Sequence, residues 1–520
     1  MTIEPDYDSF QAGYRSGRRQ LVWRRLIDDL ETPVSAYLKI AHGRPYAFLF
    51  ESVEGGAWRG RYSIVAMNPE LVWRCRGDRA EVATGEAIGR GVFSTVAGGA
   101  LDSLRDLVAS SRLDIPAGLP PMAGGVFGVL GYDMVRLVER LPGVNPDPLD
   151  LPDAVMIRPS IVAIFDSIAQ EIVIVTGVWP DNAAPEQAYA QAEARIDAVV
   201  ADLARPLAPR HESHPAAAAA LASPVSREAY GDLVDRAKAY IRAGDVFQVV
   251  PSHRFSTPFA QSPFALYRSL RRTNPSPFLF YLNFPGFQLV GSSIEILVRL
   301  RDGKITIRPI AGTRRRGVTP EEDLALEKEL LADEKERAEH LMLLDLGRND
   351  VGRVARLREA GRNTPDAGAT EAKADGRGAR RPAVRVTESF IIERYSHVMH
   401  IVSNVEGDAP EGLDPVDVLM AALPAGTLSG APKVRAMQII DELETEKRGV
   451  TYAGAVGYFG ADGSVDTCIV LRTGLIKDGR LYVQAGGGVV ADSDPNAEYE
   501  ETLQKSGALR RAAEEAWRFA

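Results

Sequence analysis

The sequence predicts an α+β protein in which large, mainly antiparallel sheets are layered with helices. Segments with the two-residue period of strands come in blocks, and segments with the 3.6-residue period of helices lie between those blocks. The 520 residues are 45% hydrophobic and 25% charged, a balance that is typical of a globular protein with a sizeable core. This composition excludes a chain that is mainly disordered, collagen-like or coiled-coil.

A helix and a strand are predicted just after residue 225. Ser226 is a suitable N-cap, and apolar residues from Tyr230 to Ile241 recur with the helical period until the chain reaches Gly244. The segment VFQVVPSHRF, which begins at Val246, has the composition of a strand.

The blocks of strands and helices follow in order. Residues 274–317 alternate apolar stretches with turn residues and predict an antiparallel meander. Residues 321–351 predict a helix, because leucines recur among dense charges. The late strands GAVGYFG, CIVLRTGLI and LYVQAGGGVV then precede a closing helix from about Asn496.

Two segments break this pattern and define the predicted domain organisation. Residues 205–224 are rich in Pro and Ala and predict a linker, whereas residues 362–383 lack large apolar side chains and predict a mobile insertion. We therefore expect an N-terminal portion over 1–204 and a C-terminal portion over 225–520. Because both portions contain strands and helices, we expect them to be interwoven into one large unit.

Charge and cysteine content predict the environment of the chain. The net charge of −9 provides no general attraction for nucleic acid or for an anionic membrane, so neither is an expected partner. The two cysteines, Cys75 and Cys468, exclude a disulfide framework and fit a reducing compartment. The start lacks a signal-peptide pattern and no apolar run reaches about 18 residues, which predicts a cytoplasmic location.

Two pairs of glutamates at helical spacing are candidate metal ligands. Glu336 and Glu339 form one pair, Glu498 and Glu501 form the other, and Lys505 follows one turn later. Carboxylates three residues apart share one helix face, so two such helices are able to converge on one Mg²⁺ ion. Either pair alone is equally typical of an ordinary solvated helix.

Two glycine-containing runs are candidate anion sites. GTLSGAPK, residues 426–433, and QAGGGVV, residues 484–490, expose backbone N–H groups, and the first run precedes a predicted helix. Each run is equally consistent with a tight turn.

Six runs of the C-terminal portion carry a resemblance to a known family. In order, they are IRPIAGTRRRG, DEKERAEHLMLLDLGRND, YSHVMHIVSNVEG, LPAGTLSGAPKVRAMQIIDELE, RGVTYAGAVGYFG and QAGGGVVADSDPNAEYEETLQK. Taken together, they resemble the chorismate-utilising enzyme family, and within it the branch that forms anthranilate. The resemblance covers about residues 225–520, and FESVEGG and GRYSIVA resemble regulatory segments of the same branch. It implies that family's fold, a chorismate-binding catalytic portion over 225–520 and a regulatory or structural portion over 1–204.

The resemblance implies a Mg²⁺ ion and a set of substrate contacts. Glu339 and Glu501 would bind the ion directly, Glu336 and Glu498 would support it through water, and the ion would hold the ring carboxylate of chorismate. Arg472 and Tyr452 match positions that hold the enolpyruvyl carboxylate. The other implied substrate contacts are Gly312, Thr313, Thr427, Gly486, Gly488 and Lys505.

Two positions separate the branches of the family. Relatives that add water resemble this chain but have a lysine in place of Gln248, and glutamine is no general base. Relatives that make aminodeoxychorismate commonly have a nucleophilic lysine in place of Ala311. Ammonia remains as the expected nucleophile, adding at ring C2 with loss of the C4 hydroxyl.

The resemblance also assigns the two remaining proton-transfer groups. Glu295 matches the candidate general acid for the departing hydroxyl, although Ile294 replaces the usual proline before it. His400 matches the position linked to elimination of pyruvate; without the family motif, it is equally a buried strand histidine with satisfied hydrogen bonds.

A partner chain and an inhibitor are also expected. Neither cysteine lies in a glycine-flanked nucleophile setting, so ammonia from glutamine requires a separate amidotransferase subunit in a hetero-oligomer. The resemblance further implies feedback inhibition by tryptophan, in a site formed by Glu51, Ser52, Arg61, Tyr62, Ser63, Asn274, Pro275, Ser276, Pro277, Phe278 and Leu279.

The expected function is therefore a Mg²⁺-dependent lyase of tryptophan biosynthesis. Two alternatives remain open. One is an aminodeoxychorismate-forming component that lacks the usual lysine, and the other is a non-catalytic subunit that binds chorismate or serves as a scaffold.

Overall fold

The computed structural model describes residues 2–52, 60–143, 145–207, 220–361, 383–395 and 398–519. Most of the predicted linker and of the predicted insertion, residues 208–219 and 362–382, lie outside the described residues. The mobility predicted for the insertion and the proposed domain limits therefore stay predictions.

The described residues form 23 strands and twelve α-helices. The strands are β1 (Ile3–Glu4), β2 (Gln20–Ile27), β3 (Phe48–Glu51), β4 (Tyr62–Arg76), β5 (Arg79–Thr84), β6 (Ser94–Thr95), β7 (Gly125–Leu130), β8 (Ala154–Asp166), β9 (Glu171–Val178), β10 (Gln248–Val249), β11 (Ser252–Pro258), β12 (Phe278–Phe284), β13 (Phe287–Ser293), β14 (Ile296–Arg301), β15 (Lys304–Ile307), β16 (Ile310–Arg315), β17 (Val384–Arg394), β18 (Val398–Asp408), β19 (Gly430–Ala431), β20 (Ala455–Gly460), β21 (Val465–Ile469), β22 (Thr473–Lys477) and β23 (Arg480–Gly486). The helices are α1 (Tyr7–Arg15), α2 (Pro33–Ile40), α3 (Glu86–Arg90), α4 (Ala100–Ser110), α5 (Pro185–Leu203), α6 (Arg227–Arg242), α7 (Pro263–Thr273), α8 (Pro320–Ala332), α9 (Glu334–Gly361), α10 (Pro415–Ala422), α11 (Lys433–Leu443) and α12 (Pro495–Glu515).

Two antiparallel sheets diverge from the long paired strands β4 and β8. The first sheet continues from β8 through β7, β20, β21, β14, β15 and β18, and β16 and β17 also pair with β18. The second continues from β4 through β3, β12, β13, β22, β23 and β11. Strands β9, β2 and β1 extend β8 on its other half.

The hydrophobic core lies between the two sheets and on their outer faces. Side chains from both sheets, such as Phe127, Val456, Phe280 and Leu475, form one fully buried cluster. A second cluster joins the first sheet to α4, α9 and α10, and a third joins the other sheet to α1, α2, α5, α7 and α12. This layering of mainly antiparallel sheets with helices confirms the predicted α+β class.

The predicted antiparallel meander over 274–317 is confirmed in its two hairpins but wrong at its centre, because the consecutive strands β13 and β14 pair with other strands and not with each other. Strands β12 and β13 form a hairpin in the second sheet, whereas β14 and β15 form a hairpin in the first sheet. The chain passes from one sheet to the other between Ser293 and Ile296, so that Glu295 lies at the crossing, only 7% exposed. The strands were predicted from their apolar residues, and that pattern contains no information on which sheet a strand joins.

Two other predicted elements are divided in the structure. The predicted strand from Val246 forms the short β10, which pairs with β19, and the longer β11. The predicted helix over 321–351 breaks at Asp333, whose carboxylate accepts the backbone N–H groups of Lys335 and Glu336 and so caps α9. Ser226 caps α6 as predicted, by accepting the N–H of Ala229.

Candidate active site

Helices α9 and α12 bring the two glutamate pairs to one region of the molecule. Glu336 and Glu339 lie in the first two turns of α9, and Glu498 and Glu501 lie in the first two turns of α12. The pKa of Glu339 is raised, first by burial and then by the negative charge of Glu336, with a further contribution from Glu501. The acidic groups of the two helices are therefore close enough to repel one another.

Each glutamate has a different set of neighbours. Glu336 accepts from Arg314 at 3.1 Å, and Glu501 pairs with Lys505 at 2.7 Å. The buried Oε2 of Glu498 has no hydrogen-bond partner in the part of the chain that the structure describes. A Cβ placed on Gly487 would lie 2.5 Å from that oxygen, so a larger residue there would require the carboxylate to move.

The carboxylates of these four glutamates are chemically suitable ligands for a hard divalent cation. Buried oxygen ligands that repel one another are stabilised by a cation such as Mg²⁺, and Glu339 and the unpartnered oxygen of Glu498 have this character. Among the described residues, however, no group of three or more Asp, Glu, His or Cys side chains is gathered closely enough to hold a metal ion. Magnesium binding by these glutamates therefore stays a prediction.

Gln248 lies between the glycine-rich run and α9. Its side chain is buried, hydrogen-bonds to the Glu339 carboxylate and approaches Gly488 so closely that a Cβ there would lie 2.4 Å from Nε2. Among the residues that the structure describes, none hydrogen-bonds to the Oε1 of Gln248. An amide at this position donates a hydrogen bond but takes no proton at neutral pH.

His400 on β18 is buried, and its two ring nitrogens have different surroundings. Its Nδ1 lies 3.0 Å from the carbonyl oxygen of Gly312 and 3.1 Å from the Thr313 hydroxyl. The carbonyl only accepts, so we assign the proton to Nδ1 and a free lone pair to Nε2, for which the described residues provide no hydrogen-bond partner. Burial lowers the pKa of His400 to about 4, and the ring is therefore neutral at pH 7.

Gly312 connects His400 to the acidic helix α9. It has a left-handed φ of +69°, which favours glycine, and a Cβ there would lie 3.2 Å from Oε2 of Glu336. The predicted contacts Gly312 and Thr313 thus lie between the proposed metal ligand and the histidine.

Glu295, at the crossing between the sheets, is a buried carboxyl group with few polar partners. Thr427, in the 3₁₀ turn Gly426–Leu428, donates to its Oε2 at 3.3 Å. Burial raises the pKa of Glu295 to about 8, so the group is protonated at neutral pH. It also lines a small cavity of about 30 Å³ together with Thr427 and Asp350.

Arg472 and Tyr452 lie on the two sides of the β20–β21 hairpin. Arg472 has a left-handed φ of +46°, and among the described residues no carboxylate pairs with its guanidinium. Burial lowers the pKa of Arg472, and its positive charge lowers the pKa of His400, so the two side chains are near each other. A desolvated, unpaired guanidinium is suited to a bound carboxylate.

Lys505 links α12 to the glycine-rich run and to Tyr452. Its Nζ donates to the carbonyl of Gly486 at 2.9 Å. The charge of Lys505 lowers the otherwise raised pKa of the buried Tyr452. The structure therefore brings together the predicted residues of α9, α12, β10 and β23 through direct contacts or shared charges.

The predicted inhibitor residues also come together, away from these groups. Glu51 pairs with Leu279 across β3 and β12, and Ser63 lies on the neighbouring strand β4. The buried Glu51 carboxylate accepts from Arg271 at 2.8 and 3.0 Å. Arg61 donates to Asp166 at 2.7 Å and lies 4.8 Å from the ring of Tyr62.

The remaining inhibitor residues flank this group. Ser52 accepts the N–H of Gly60 at 2.8 Å, and residues 53–59 between them lie outside the described residues. Pro277 directly precedes β12, which Phe278 opens.

Sequence reasoning missed several buried or partly buried charged groups beside the site. Arg314 pairs with Glu336, Lys433 pairs with Asp350 at 2.7 Å, and Arg448 pairs with Glu444. Arg448 stands four residues after Glu444, but the carbonyls of Leu428 and Val250, to which it also donates, lie much further away in the sequence. No local pattern indicates such contacts.

Comparison with known proteins shows the family to which the chain belongs. The family described as chorismate binding enzymes matches residues 46–361 and 376–511. The chain therefore belongs to this family.

Individual relatives narrow the comparison. Anthranilate synthase component 1 of Cereibacter sphaeroides is 56% identical over 516 residues, which are 99% of this chain and 98% of the relative. That of Pseudomonas putida is 47% identical over 93% of both chains. The structure of anthranilate synthase component I from Streptococcus pneumoniae matches 94% of this chain and 99% of its own, with a TM-score of 0.72 and 33% identity.

A more distant structure shares the fold alone. The menaquinone-specific isochorismate synthase of Escherichia coli covers 95% of this chain and 94% of its own, with a TM-score of 0.67 at 18% identity. In the described part of the chain, no helix is long and apolar enough to span a membrane.

Proposed function

We propose that this chain is the synthase component that converts chorismate and ammonia to anthranilate and pyruvate. The observation that carries the proposal is the combination of three residues. Glu295 is a buried carboxyl group whose pKa is raised by burial, position 248 holds an amide and position 311 holds an alanine. An acid is available to expel the hydroxyl, whereas the lysines that would add water or form a covalent adduct are missing. The relatives of similar length agree with this choice.

Charge complementarity supports binding of the dicarboxylate substrate. Arg472 is suited to one carboxylate, together with the hydroxyl of Tyr452, and backbone N–H groups of residues 486–488 and Lys505 are suited to the other. Mg²⁺, held by Glu339 and Glu501 with support from Glu336 and Glu498, would supply the positive charge that lets a carboxylate approach these acids.

The first step is amine addition. Ammonia attacks C2, the ring double bonds shift, and the C4–O bond breaks as Glu295 gives its proton to the departing oxygen, which leaves as water. The new ammonium group on C2 then releases one proton to solvent, and the Glu295 carboxylate takes one up. The hydroxyl of Thr427, 3.3 Å from Oε2, keeps the carboxyl group oriented during this transfer. Burial favours the neutral acid and so keeps the proton available near pH 7.

The second step is aromatisation. The Nε2 lone pair of His400 accepts the proton from C2, the C3–O bond breaks, and the enolpyruvyl group leaves and is protonated to pyruvate. The hydrogen bond from Nδ1 to the Gly312 carbonyl keeps the ring in the tautomer that this role needs.

We further propose two associations for this component. A separate glutamine amidotransferase subunit supplies ammonia, because Cys75 and Cys468 are both buried strand residues. Tryptophan inhibits the enzyme at the group formed by β3, β4 and β12. This second proposal is supported by the contact of Glu51 with Leu279, which joins two segments far apart in the sequence.

Product analysis tests the proposed function. Purified chain is incubated with chorismate, MgCl₂ and an ammonium salt, and products are identified by fluorescence and mass spectrometry. Anthranilate and pyruvate are expected. An amino product that retains the enolpyruvyl group would instead indicate an aminodeoxychorismate-forming component, and unchanged chorismate would indicate a non-catalytic subunit.

A further inference from the structure

The ion pair of Arg448 and Glu444 is almost completely buried beside the proposed substrate site, with side chains 1% and 3% exposed. Nε of Arg448 donates to both carboxylate oxygens of Glu444, at 3.1 and 3.0 Å. Its Nη1 donates to the carbonyl of Leu428 at 2.7 Å, and its Nη2 donates to the carbonyl of Val250 at 2.7 Å. One side chain thus ties together three segments that are distant in the sequence.

The residues that Arg448 contacts in this way are close in sequence to residues of the proposed site. Leu428 directly follows Thr427, and Val250 lies two residues after Gln248. The guanidinium carbon is also 5.2 Å from the centre of the Tyr452 ring. Arg448 therefore contacts the backbone next to Thr427, the backbone close to Gln248 and the ring of Tyr452.

Glu444 extends the connection to the glycine-rich run. Its Oε1 accepts from the backbone N–H of Ser252 at 2.8 Å and from the Ser252 hydroxyl at 2.9 Å. Nε2 of Gln484 donates to the same hydroxyl at 2.8 Å. Gln484 lies on β23, two residues before Gly486.

We infer that Arg448 and Glu444 are positioning residues for chorismate turnover. They hold the segments of Gln248, Thr427, Tyr452 and Gly486 in one frame and act on the substrate only through those residues. This inference rests on the proposed function, since it concerns the same site.

The planar guanidinium is the reason that this position requires arginine. It serves a carboxylate and two carbonyls at fixed angles at the same time, whereas the ammonium of lysine is a single flexible point charge. A buried ion pair is in general replaceable by apolar side chains without loss of folding, so stability alone does not require it. Positioning of the substrate contacts gives the pair a separate function.

Arg448→Lys provides the test, because it keeps the charge opposite Glu444 but loses the two carbonyl contacts. We expect the variant to fold, with kcat/KM for chorismate about 100-fold lower, since displacement of a binding group by about 1 Å has an effect of that size. Both an increased KM and a decreased kcat are expected. Activity is measured at a temperature well below the thermal unfolding midpoint.

Arg316→Lys is the matched control. Arg316 also forms a bidentate contact with one carboxylate, donating to the two oxygens of Asp323 at 2.9 and 3.1 Å. In addition, it donates to the carbonyl of Tyr395 at 2.7 Å. It contacts none of the four segments, so kcat/KM should change less than threefold even if the unfolding midpoint falls as much as in Arg448→Lys. An equal loss of kcat/KM in both variants would contradict the inference.

A double variant keeps the test decisive if Arg448→Lys does not fold. Arg448→Met combined with Glu444→Leu removes the pair without burying a lone charge, and we expect a folded protein with the same loss of kcat/KM. Wild-type kcat/KM in either folded variant would overturn the inference. Failure of both variants to fold would also overturn it, because the pair would then serve the fold itself.

The outcome is separable from that of the proposed function. If wild-type chain forms no anthranilate, the proposed function fails, and chorismate affinity is measured by isothermal titration calorimetry instead. A weaker affinity in Arg448→Lys and an unchanged affinity in Arg316→Lys would then still support the positioning role, whereas equal affinities would exclude it.

Discussion

At the scale of single residues, burial acts in opposite directions on the two groups that we assign to proton transfer. It raises the pKa of Glu295 to about 8 and lowers the pKa of His400 to about 4. Desolvation penalises whichever form carries charge, so the acid keeps its proton and the imidazole stays without its second proton. Near pH 7 the site therefore contains one neutral donor and one neutral acceptor, which is the combination that the two steps need.

Replacement of Glu295 by glutamine should reduce kcat by about 10²- to 10⁴-fold, the usual range for a lost general acid. The substitution keeps the size of the side chain and its contact with Thr427, so the KM for chorismate should change little. Steady-state anthranilate fluorescence is the measurement. Glu70→Gln is a suitable control, because burial also raises the pKa of Glu70, on β4, yet the residue lies outside the site. Comparable losses in both variants would argue against a general-acid role.

The pH dependence of the wild-type enzyme should reflect the same carboxyl group. The active form of Glu295 is protonated, so activity should be full well below its pKa and should fall as the pH rises through about 8. The profile is measured at a constant concentration of free ammonia, because ammonium itself titrates. An alkaline limb that persists in the Glu295→Gln variant would assign it to another group.

Replacement of His400 by alanine should slow pyruvate release more than amine addition. The Nε2 lone pair is lost while Glu295 and Thr427 remain, so the amino intermediate should accumulate relative to anthranilate. Quenched reactions separated by chromatography give this ratio. If the ratio of intermediate to anthranilate equals that of the wild type, His400 does not act in the second step.

At the scale of secondary-structure elements, the acidic region depends on how α9 and α12 begin. Asp333 and Asp494 cap the two helices, which places Glu336 and Glu498 in the first turns and the second glutamate of each pair on the same face. The pKa of Glu498 is raised by burial, and the charge of Glu501 raises it further. Two capped helices thus concentrate negative charge that a divalent cation would offset.

Glu501→Gln should abolish most turnover while the helix remains folded. The amide keeps the shape of the side chain but removes a carboxylate ligand, and we expect a loss of more than about 100-fold together with a higher requirement for Mg²⁺. Activity is titrated against MgCl₂, and far-UV circular dichroism monitors folding. Glu500→Gln is the control on the same helix, since Glu500 is half-exposed and pairs with Arg227. Full activity of the Glu501 variant in chelator would contradict the metal assignment.

The same elements explain what the sequence was able to predict. Local patterns were sufficient where the determining contacts are local, as in the Ser226 cap of α6 and the i, i+3 spacing of Glu336 and Glu339. They failed where the contacts are distant. The apolar stretches of 274–317 do not indicate that β13 pairs with β22 while β14 pairs with β21, and nothing near Arg448 indicates Leu428 or Val250 as its partners.

At the scale of the whole molecule, the N-terminal strands and the proposed site belong to one continuous hydrogen-bonded system. Strand β3 pairs with β12, which continues through β13 into the crossing at Glu295. Ser292 lies at the end of β13; its hydroxyl donates to the carbonyl of Asn274 at 2.6 Å, and its N–H donates to the carbonyl of Arg472 at 3.3 Å. A ligand bound beside β3 and β12 would therefore be only a few hydrogen bonds from Arg472, which we propose as a substrate contact.

The isolated chain should use ammonium salts but not glutamine. Burial raises the pKa of Cys468 to about 12 and also raises the pKa of Cys75, so neither thiol supplies the thiolate that glutamine hydrolysis requires. Anthranilate formation is compared with each nitrogen source in the absence of any partner chain. The double variant Cys75→Ser and Cys468→Ala should retain the ammonia-dependent reaction. Glutamine-dependent product that disappears in this variant would contradict the need for an amidotransferase subunit.

Tryptophan should inhibit the enzyme through the connection between Asn274, Ser292 and Arg472. The side chain of Asn274 donates to the Ser292 hydroxyl at 3.0 Å, so a ligand that displaces residues 274–279 alters the support of the Arg472 backbone. We expect Asn274→Ala to raise the tryptophan concentration for half-inhibition by about tenfold, measured at saturating Mg²⁺. Asn283→Ala is the matched control on the other end of β12, where the amide donates to the carbonyl of Arg44, and it should leave inhibition unchanged. A wild-type rate that does not respond to millimolar tryptophan would contradict the proposed inhibitor site. Equal inhibition of the two variants would contradict the proposed connection through Asn274.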